Sequence, residues 1–197
     1  MKKIILPVTI CAALALLSFK LITVSTWKVK SDAVKINFSM PKEPHGTGSI
    51  TGTGLNAEIM MDSAPAKSKD GDLIADAKIK AVVDVKALTT PKGGLTNHLM
   101  SPDFFDAEKF PKMTFTSTGI KAMVKNVIAG NYVAEGTLNI KDSTKTVSIP
   151  FTFESKDKEG VLKGTLEIFA GDYGIMKKSA EGNDKVVITI EVPVTKE

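Results

Sequence analysis

The chain has 197 residues and a formal net charge of +4 at pH 7, with 43% hydrophobic and 24% charged residues, one cysteine and two histidines. A single cysteine excludes an intramolecular disulfide, and His45 and His98 have no Cys or His neighbour at metal-ligand spacing, so no zinc site is expected. Lys2, Lys3 and Lys20 fall before Thr26, where no acid occurs, so the remainder stands one charge above neutral and lacks the clustered basic footprint of a nucleic-acid or anionic-headgroup binder.

Met1-Lys2-Lys3, followed by Ile4 to Phe19, apolar except for Thr9 and Ser18, has the form of an export signal. Residues 1–25 therefore read as a signal peptide, with Thr23-Val24-Ser25 as the best small-residue cleavage candidate. The alternative is an uncleaved anchor, because Ile4 to Val24, broken only by Lys20, approaches the ~20 residues that span a bilayer. Pro7 interrupts the apolar core and favours cleavage. Cys11 lies too early for a lipidated cysteine and follows Val8-Thr9-Ile10 rather than small residues, so it reads as one more small hydrophobe. The expected location is exported, periplasmic or extracellular, with membrane anchoring as the variant.

Residues 26–197 are expected to form one domain with one core. Period-two alternation dominates: Val34, Ile36, Phe38 and Met40 alternate with Lys35, Asn37 and Ser39. Pro41, Pro44 and the evenly spaced Gly46, Gly48, Gly52 and Gly54 suggest a twisted or bulged hairpin rather than a phosphate cradle, and Ser63 to Gly71 reads as a polar loop. Further strands are predicted over Gly54 to Met61, Leu73 to Val85, Lys112 to Ile120, Asn131 to Ile140, Thr146 to Ser155, Val161 to Phe169 and Lys185 to Val194. Lys141-Asp142-Ser143-Thr144 and Lys156 to Gly160 read as tight hairpin connections. The expectation is all-β: a single eight-stranded antiparallel up-and-down barrel. Its one long interruption, Lys86 to Pro111, is expected to hold a short helical insertion near residues 95–110, as a turn around Asp103 to Lys109 with Pro102 at its start.

An eight-stranded barrel either fills with side chains or leaves room for a small ligand. The inward candidates are Phe38, Ile79, Phe115, Leu138, Ile149, Phe151, Phe153, Leu166, Ile168 and Ile188, with scarcely any acid or base among them. Ala134, Gly136 and Gly164 share their parity and could withhold volume for a ligand, or could relieve curvature in a filled core. Three phenylalanines, Phe104, Phe105 and Phe110, sit in a polar, proline-punctuated connection and must find an apolar place to go.

His98 with Ser101, Asp103 and Asp106 invites a catalytic reading. Residues this close in one turn do not easily make the nucleophile, base and orienter line of acyl transfer, and no Gly-x-Ser-x-Gly elbow, Walker loop or Rossmann glycine pattern occurs, so no catalytic residue is assigned. Asp103 and Asp106 read as caps of free N–H groups rather than metal ligands. The expected role of His98 is a hydrogen bond to loop backbone or to a ligand headgroup.

The run Asn97-His98-Leu99-Met100-Ser101-Pro102-Asp103-Phe104-Phe105-Asp106, followed by Ala107-Glu108-Lys109-Phe110-Pro111-Lys112-Met113-Thr114-Phe115, closely resembles the signature of the YceI-like family, and Gly171-Asp172-Tyr173-Gly174-Ile175 is similar to its Asp-Phe-Gly-Ile. The resemblance runs from about Val29 to the carboxyl end. Lys30-Ser31-Asp32-Ala33-Val34 departs from it, lacking the family's early histidine and proline. The resemblance implies a lipocalin-like barrel that holds a polyisoprenoid or other long-chain lipid, and so an open cavity. The candidate lining set is Phe38, Ile79, His98, Phe104, Phe105, Phe110, Phe115, Leu138, Phe151, Phe153, Leu166 and Ile168. The function expected is a non-enzymatic exported lipid carrier with no cofactor, a hydrophobic small-molecule partner and no nucleic acid; transient membrane contact and a homodimer stay open. The alternatives are a structural or stress-response barrel with a filled core that acts through protein partners and, further behind, a hydrolase or isomerase using His98.

Overall fold

A computed structural model of the chain describes residues 24–40, 47–51, 55–62, 78–123 and 131–197, with side chains from 27–40, 78–123 and 131–197. Most of the expected export segment with Cys11, together with His45, Gly46, Gly52, Gly54 and the Ser63 to Gly71 loop, lies outside the described residues. Val24 and Ser25, read from sequence as the end of that segment, pair through their backbone with Asp62 and Met61.

Among the described residues there are eleven strands: β1 (Val24–Val29), β2 (Lys35–Ser39), β3 (Thr47–Thr51), β4 (Leu55–Asp62), β5 (Lys78–Asp84), β6 (Leu88–Thr89), β7 (Lys112–Ala122), β8 (Asn131–Ile140), β9 (Ser143–Lys156), β10 (Glu159–Phe169) and β11 (Lys185–Lys196). They make eight staves. One edge of β11 pairs with β10; the other is shared between β1, at 194–196, and β2, at 187–191. β1 and β2 are thus two lengths of one stave, interrupted by a 3-10 turn at Ser31–Ala33. In the same way β3 and β4 lie against β2 and β1, and β5 and β6 against β4 and β3. The β1–β11 pairing returns the antiparallel sheet on itself, so the eight-stranded barrel expected from the alternation, lipocalin-like as the resemblance implies, is the observed fold, with three staves broken.

Local chemistry explains the breaks. Asp84 accepts a hydrogen bond from the Lys86 N–H at 2.9 Å, an Asx turn that bends β5 into a 3-10 turn at Val85–Ala87 before β6 resumes. In β7 a bulge between Ser117 and Gly119 inserts Thr118, so both Ser117 and Ile120 face inward. The buried Ser117 hydroxyl accepts the Ile79 N–H at 2.8 Å and is satisfied. The hairpins β8–β9 and β9–β10 turn on two residues each, Lys141-Asp142 and Asp157-Lys158, and the first residue of each is left-handed, with φ of 56°.

The insertion differs from expectation in the place of its helix. α1 spans Gly93–Met100, and residues 103–109 form turns. Pro102 ends the helix rather than starting one, because its ring excludes the helical region for Ser101, which sits at ψ 164° and donates its N–H and its hydroxyl to the His98 carbonyl.

Aromatic rings pack together at the floor of the barrel. Trp27 meets Phe153 edge-on at 5.1 Å, and the pair closes over Gly160 and the fully buried Val194. Tyr132 stacks on Phe151 at 5.4 Å, and burial holds the Tyr132 phenol above its ordinary pKa. Ion pairs such as Lys35–Glu191 and Lys185–Glu167 lie on the outer face, where they are exposed and contribute little.

Candidate functional site

Above that floor the barrel holds a cavity of about 510 Å³. The inward parity of the strands supplies Phe38, Ile79, Phe115, Leu138, Phe151, Leu166 and Ile168, with Ile149 and Ile188, all of them lining residues. The insertion supplies His98, Phe104 and Phe105. Phe110 and Phe153, placed in the lining by sequence, lie outside it. Phe153 belongs to the floor with Trp27, and the half-buried Phe110 ring lies beneath the Lys109 ammonium at 5.0 Å and near that of Lys141 at 6.0 Å. Sequence reading missed Leu95, Leu99, Met113 and Met176; Met113 had the inward parity as a signal, whereas Leu95 and Leu99 required the correct helix.

Among the described lining residues only His98 and Thr114 carry polar side chains. Thr114 lies between Met113 and Phe115 on the outward parity of β7, which leaves the histidine as the polar group that the described lining offers at the mouth. His98 is exposed, and its ring meets Phe104 edge-on at 4.6 Å. The Ser101 hydroxyl is engaged by the His98 carbonyl at 2.7 Å rather than by the imidazole, so the two do not form a nucleophile–base pair. Among the described residues no cluster of His, Cys, Asp and Glu is arranged to hold a metal ion.

Among the described residues, two segments cap the mouth. The first is α1 with the turns that follow, pinned by the Phe105 N–H to Leu99 carbonyl bond at 3.0 Å and by the Ala107 N–H to Met100 carbonyl bond at 3.1 Å. The second follows β10, a 3-10 turn at Ala170–Tyr173 that packs against both β9 and β10. Its backbone is drawn in by Asp184, which is 1% exposed: Oδ2 accepts the Gly171 N–H at 3.1 Å and the carbonyl accepts the Ala170 N–H at 2.8 Å. At Gly171 any Cβ would lie 2.5 Å from the Lys178 Cα, and Gly174 is left-handed at φ 63°, so this turn needs both glycines. Tyr173, 2% exposed, fills the space beneath, and burial raises its phenol pKa, with the Asp172 charge adding to the shift. The Lys178 ammonium hydrogen-bonds Asp172 at 2.6 Å and holds that carboxyl below its usual range.

One side chain joins the two caps. The Lys141 ammonium, from the β8–β9 turn, donates to the Phe104 carbonyl at 2.6 Å and to the Gly174 carbonyl at 2.9 Å. The clasp was not foreseen. The only sequence signal was a lysine in a hairpin position that favours Asn, Asp or Gly.

The two glycines read as withheld volume differ. At Gly136 a Cβ would lie 2.3 Å from the Thr116 carbonyl oxygen and 2.9 Å from the Phe115 ring, so this glycine permits close strand approach beside the bulge and does not line the cavity. Gly164 does line it, with a Cβ position 3.1 Å from the Pro150 carbonyl oxygen. The Gly164–Phe151 pair is also the last rung between β9 and β10; the next would need an N–H that Pro150 lacks.

A family model described as the YceI-like domain matches residues 27–195. A UPF0312 protein of Pseudomonas fluorescens is 32% identical over 155 residues, 74% of each chain. Among solved structures, BcnA of Burkholderia cenocepacia is similar with a TM-score of 0.69 at 20% identity, over 84% of this chain and 99% of that one. A polyisoprenoid binding domain from Saccharophagus degradans, implicated in plant cell wall breakdown, is similar with a TM-score of 0.58 at 12% identity, over 87% of this chain and 98% of that one. At these identities the two structures bear on the fold. No helix among the described residues is long and apolar enough to cross a membrane.

Proposed function

The chain belongs to the YceI-like family, and from that premise we propose that it is a lipid-binding barrel that sequesters or carries a polyisoprenoid, quinone-like or other long-chain amphiphile. The observation that carries the reading is the cavity itself: about 510 Å³ of space inside the barrel whose lining, among the described residues, is apolar apart from His98 and Thr114. Buried apolar surface gains on the order of 25 cal/mol per Å², so such a space favours a hydrocarbon tail over water or a polar metabolite. The similarity to the polyisoprenoid binding domain from Saccharophagus degradans supports the choice of ligand.

Mechanism is burial and release. The tail lies along the barrel between Phe151 and the aromatic cap of Phe104 and Phe105, and exchange with a membrane or another carrier proceeds as the capped mouth opens. An exported location belongs to the same proposal, supported by the basic start and apolar run at residues 1–19. The test is native mass spectrometry of gently purified protein beside an organic extract of it. A stoichiometric lipid that leaves with denaturation is the expected result. An empty barrel that also takes up no hydrophobic probe would overturn the reading.

A further inference from the structure

Resting on that reading, we infer that the ligand enters and leaves sideways, through a seam in the barrel wall between β9 and β10, and that residues 170–176 are the strap that closes it. The seam begins where the ladder stops. The two-residue turn at Asp157-Lys158 makes Lys156 and Glu159 a hydrogen-bonded pair, and such pairs recur at every second residue, so Thr152–Lys163 is one and Pro150–Thr165 would be the next. Pro150 has no N–H to give, and the pairing ends at Phe151–Gly164. Above that level β9 stays paired with β8 as far as Ser143, and β10 with β11 as far as Phe169. Among the described residues, no rung joins 143–150 to 165–169. At ~3.3 Å per residue, residues 165–169 give a seam about 16 Å long that runs up to the mouth.

The flanks of the seam suit an apolar traveller. Ile149 on one side, with Leu166 and Ile168 on the other, faces the cavity, whereas Ser148 and Glu167 are exposed on the outer face. The strap leaves β10 at Phe169, packs against both β9 and β10, and contributes Ala170, Ile175 and Met176 to the cavity lining. Its anchors are unequal. Toward β11 its backbone is held by Asp184, which accepts the Ala170 and Gly171 N–H groups. Toward β9 its tie is the Lys141 ammonium on the Gly174 carbonyl, at the end of a long side chain. A strap hinged at β10 and latched to the β9 side by a lysine opens the seam and the mouth together. A tail that passes between Ile149 and Leu166 keeps apolar surface beside it on the way in, and it need not be threaded end-on past Phe104 and Phe105.

The experiment places a covalent bar across the seam of the full-length protein. Ser148→Cys and Glu167→Cys, in a Cys11→Ser background, are joined by a short bismaleimide; Thr152→Cys with Lys163→Cys, on a rung that is formed, gives the control bar below the seam. Mass spectrometry verifies each bar, and stopped-flow fluorescence follows loading and release of an apolar probe. The upper bar should slow both rates at least tenfold and leave the equilibrium affinity within a few-fold, while the control bar changes neither. Rates that stay within twofold of the control under a verified upper bar would overturn the side entry, with the carrier reading intact because the probe still binds. Hydrogen exchange on the unmodified protein needs no variant: the Thr165 and Glu167 amides, which point at the seam, should exchange at least tenfold faster than those of Val161 and Lys163, which point at formed rungs. Equal protection would mean a continuous wall and would overturn the seam. A probe that does not bind the unmodified protein at all would sink the carrier reading, and the side entry with it.

Discussion

Replacing Lys141 with methionine keeps the aliphatic stem beside Phe110 and removes the two bonds that tie the caps together at 2.6 and 2.9 Å. Hydrogen bonds to charged groups contribute ~1.5–3 kcal/mol each when dry, and at this half-exposed site the pair is worth about 1–2 kcal/mol in total. Because the bonds join two caps rather than two staves, the loss falls on the closed state of the mouth. At about 1.4 kcal/mol per factor of ten, the open population and the release rate of a bound apolar probe should rise about 5- to 30-fold. The melting temperature should fall by at most ~2–8 °C. Stopped-flow release of a preloaded fluorescent lipid reads the rate, and hydrogen exchange at residues 103–107 and 171–176 reads the opening. Lys141→Gly separates clasp from backbone. It relieves the left-handed residue at φ 56°, so it should be more stable than Lys141→Met and yet release ligand as fast. Release within twofold of the parent, with both segments exchanging as before, would refute the clasp.

Gly136→Ala should destabilise by ~3 kcal/mol or more, since its Cβ meets backbone, whereas Gly164→Ala should cost about 1 kcal/mol; urea midpoints that reverse this order would contradict the packing at the bulge. Phe104→Ala and Phe105→Ala should each cost about 2 kcal/mol, below the ~3–5 of a fully buried phenylalanine because both are half-buried, and variants as stable as the parent would show that the pair plugs nothing. The two tyrosines of the chain, Tyr132 and Tyr173, both have phenols raised by burial, so phenolate absorbance should appear only above the ordinary value of ~10. The folded state holds these protons more tightly than the unfolded chain. Their contribution to stability is therefore fully present below that pH and is lost as pH rises through the raised values, and a phenol titrating at the ordinary pKa would contradict its burial.

The staves were legible because a barrel wall with one wet face must alternate, and Asn131 to Ile140 shows this with no break. What interrupts them was hidden. The turn at Asp84 depends on one carboxylate reaching back to an N–H, and the bulge at Thr118 on which of two parities wins inside; neither leaves a mark in a period-two pattern. The helix was misplaced because proline suits both a helix start and a helix stop, and only the conformation of Ser101 distinguishes the two. Parity selected inward residues well along β10 and β11 but does not report height in the barrel, so Phe153 at the floor looked the same as Phe151 in the cavity wall. The cap lysine acts across contacts distant in sequence, 37 residues to Phe104 and 33 to Gly174, that no local window contains.

The return of the sheet upon itself makes the stave order cyclic, with Trp27 directly opposite Lys196. Val24 lies three strand residues further on, about 10 Å away at ~3.3 Å per residue, so a linker of a few residues could join 196 to 24 and the chain could be reopened at the Asp157-Lys158 turn with every ladder retained. Such a permutant would exchange near for far: the seam between 27–29 and 194–196 would become a local hairpin, and the β9–β10 pairing would become the longest-range contact of the molecule. Since long-range pairing slows folding, the two chains would assemble the same barrel in a different order, and comparing their refolding rates would reveal which seam closes last.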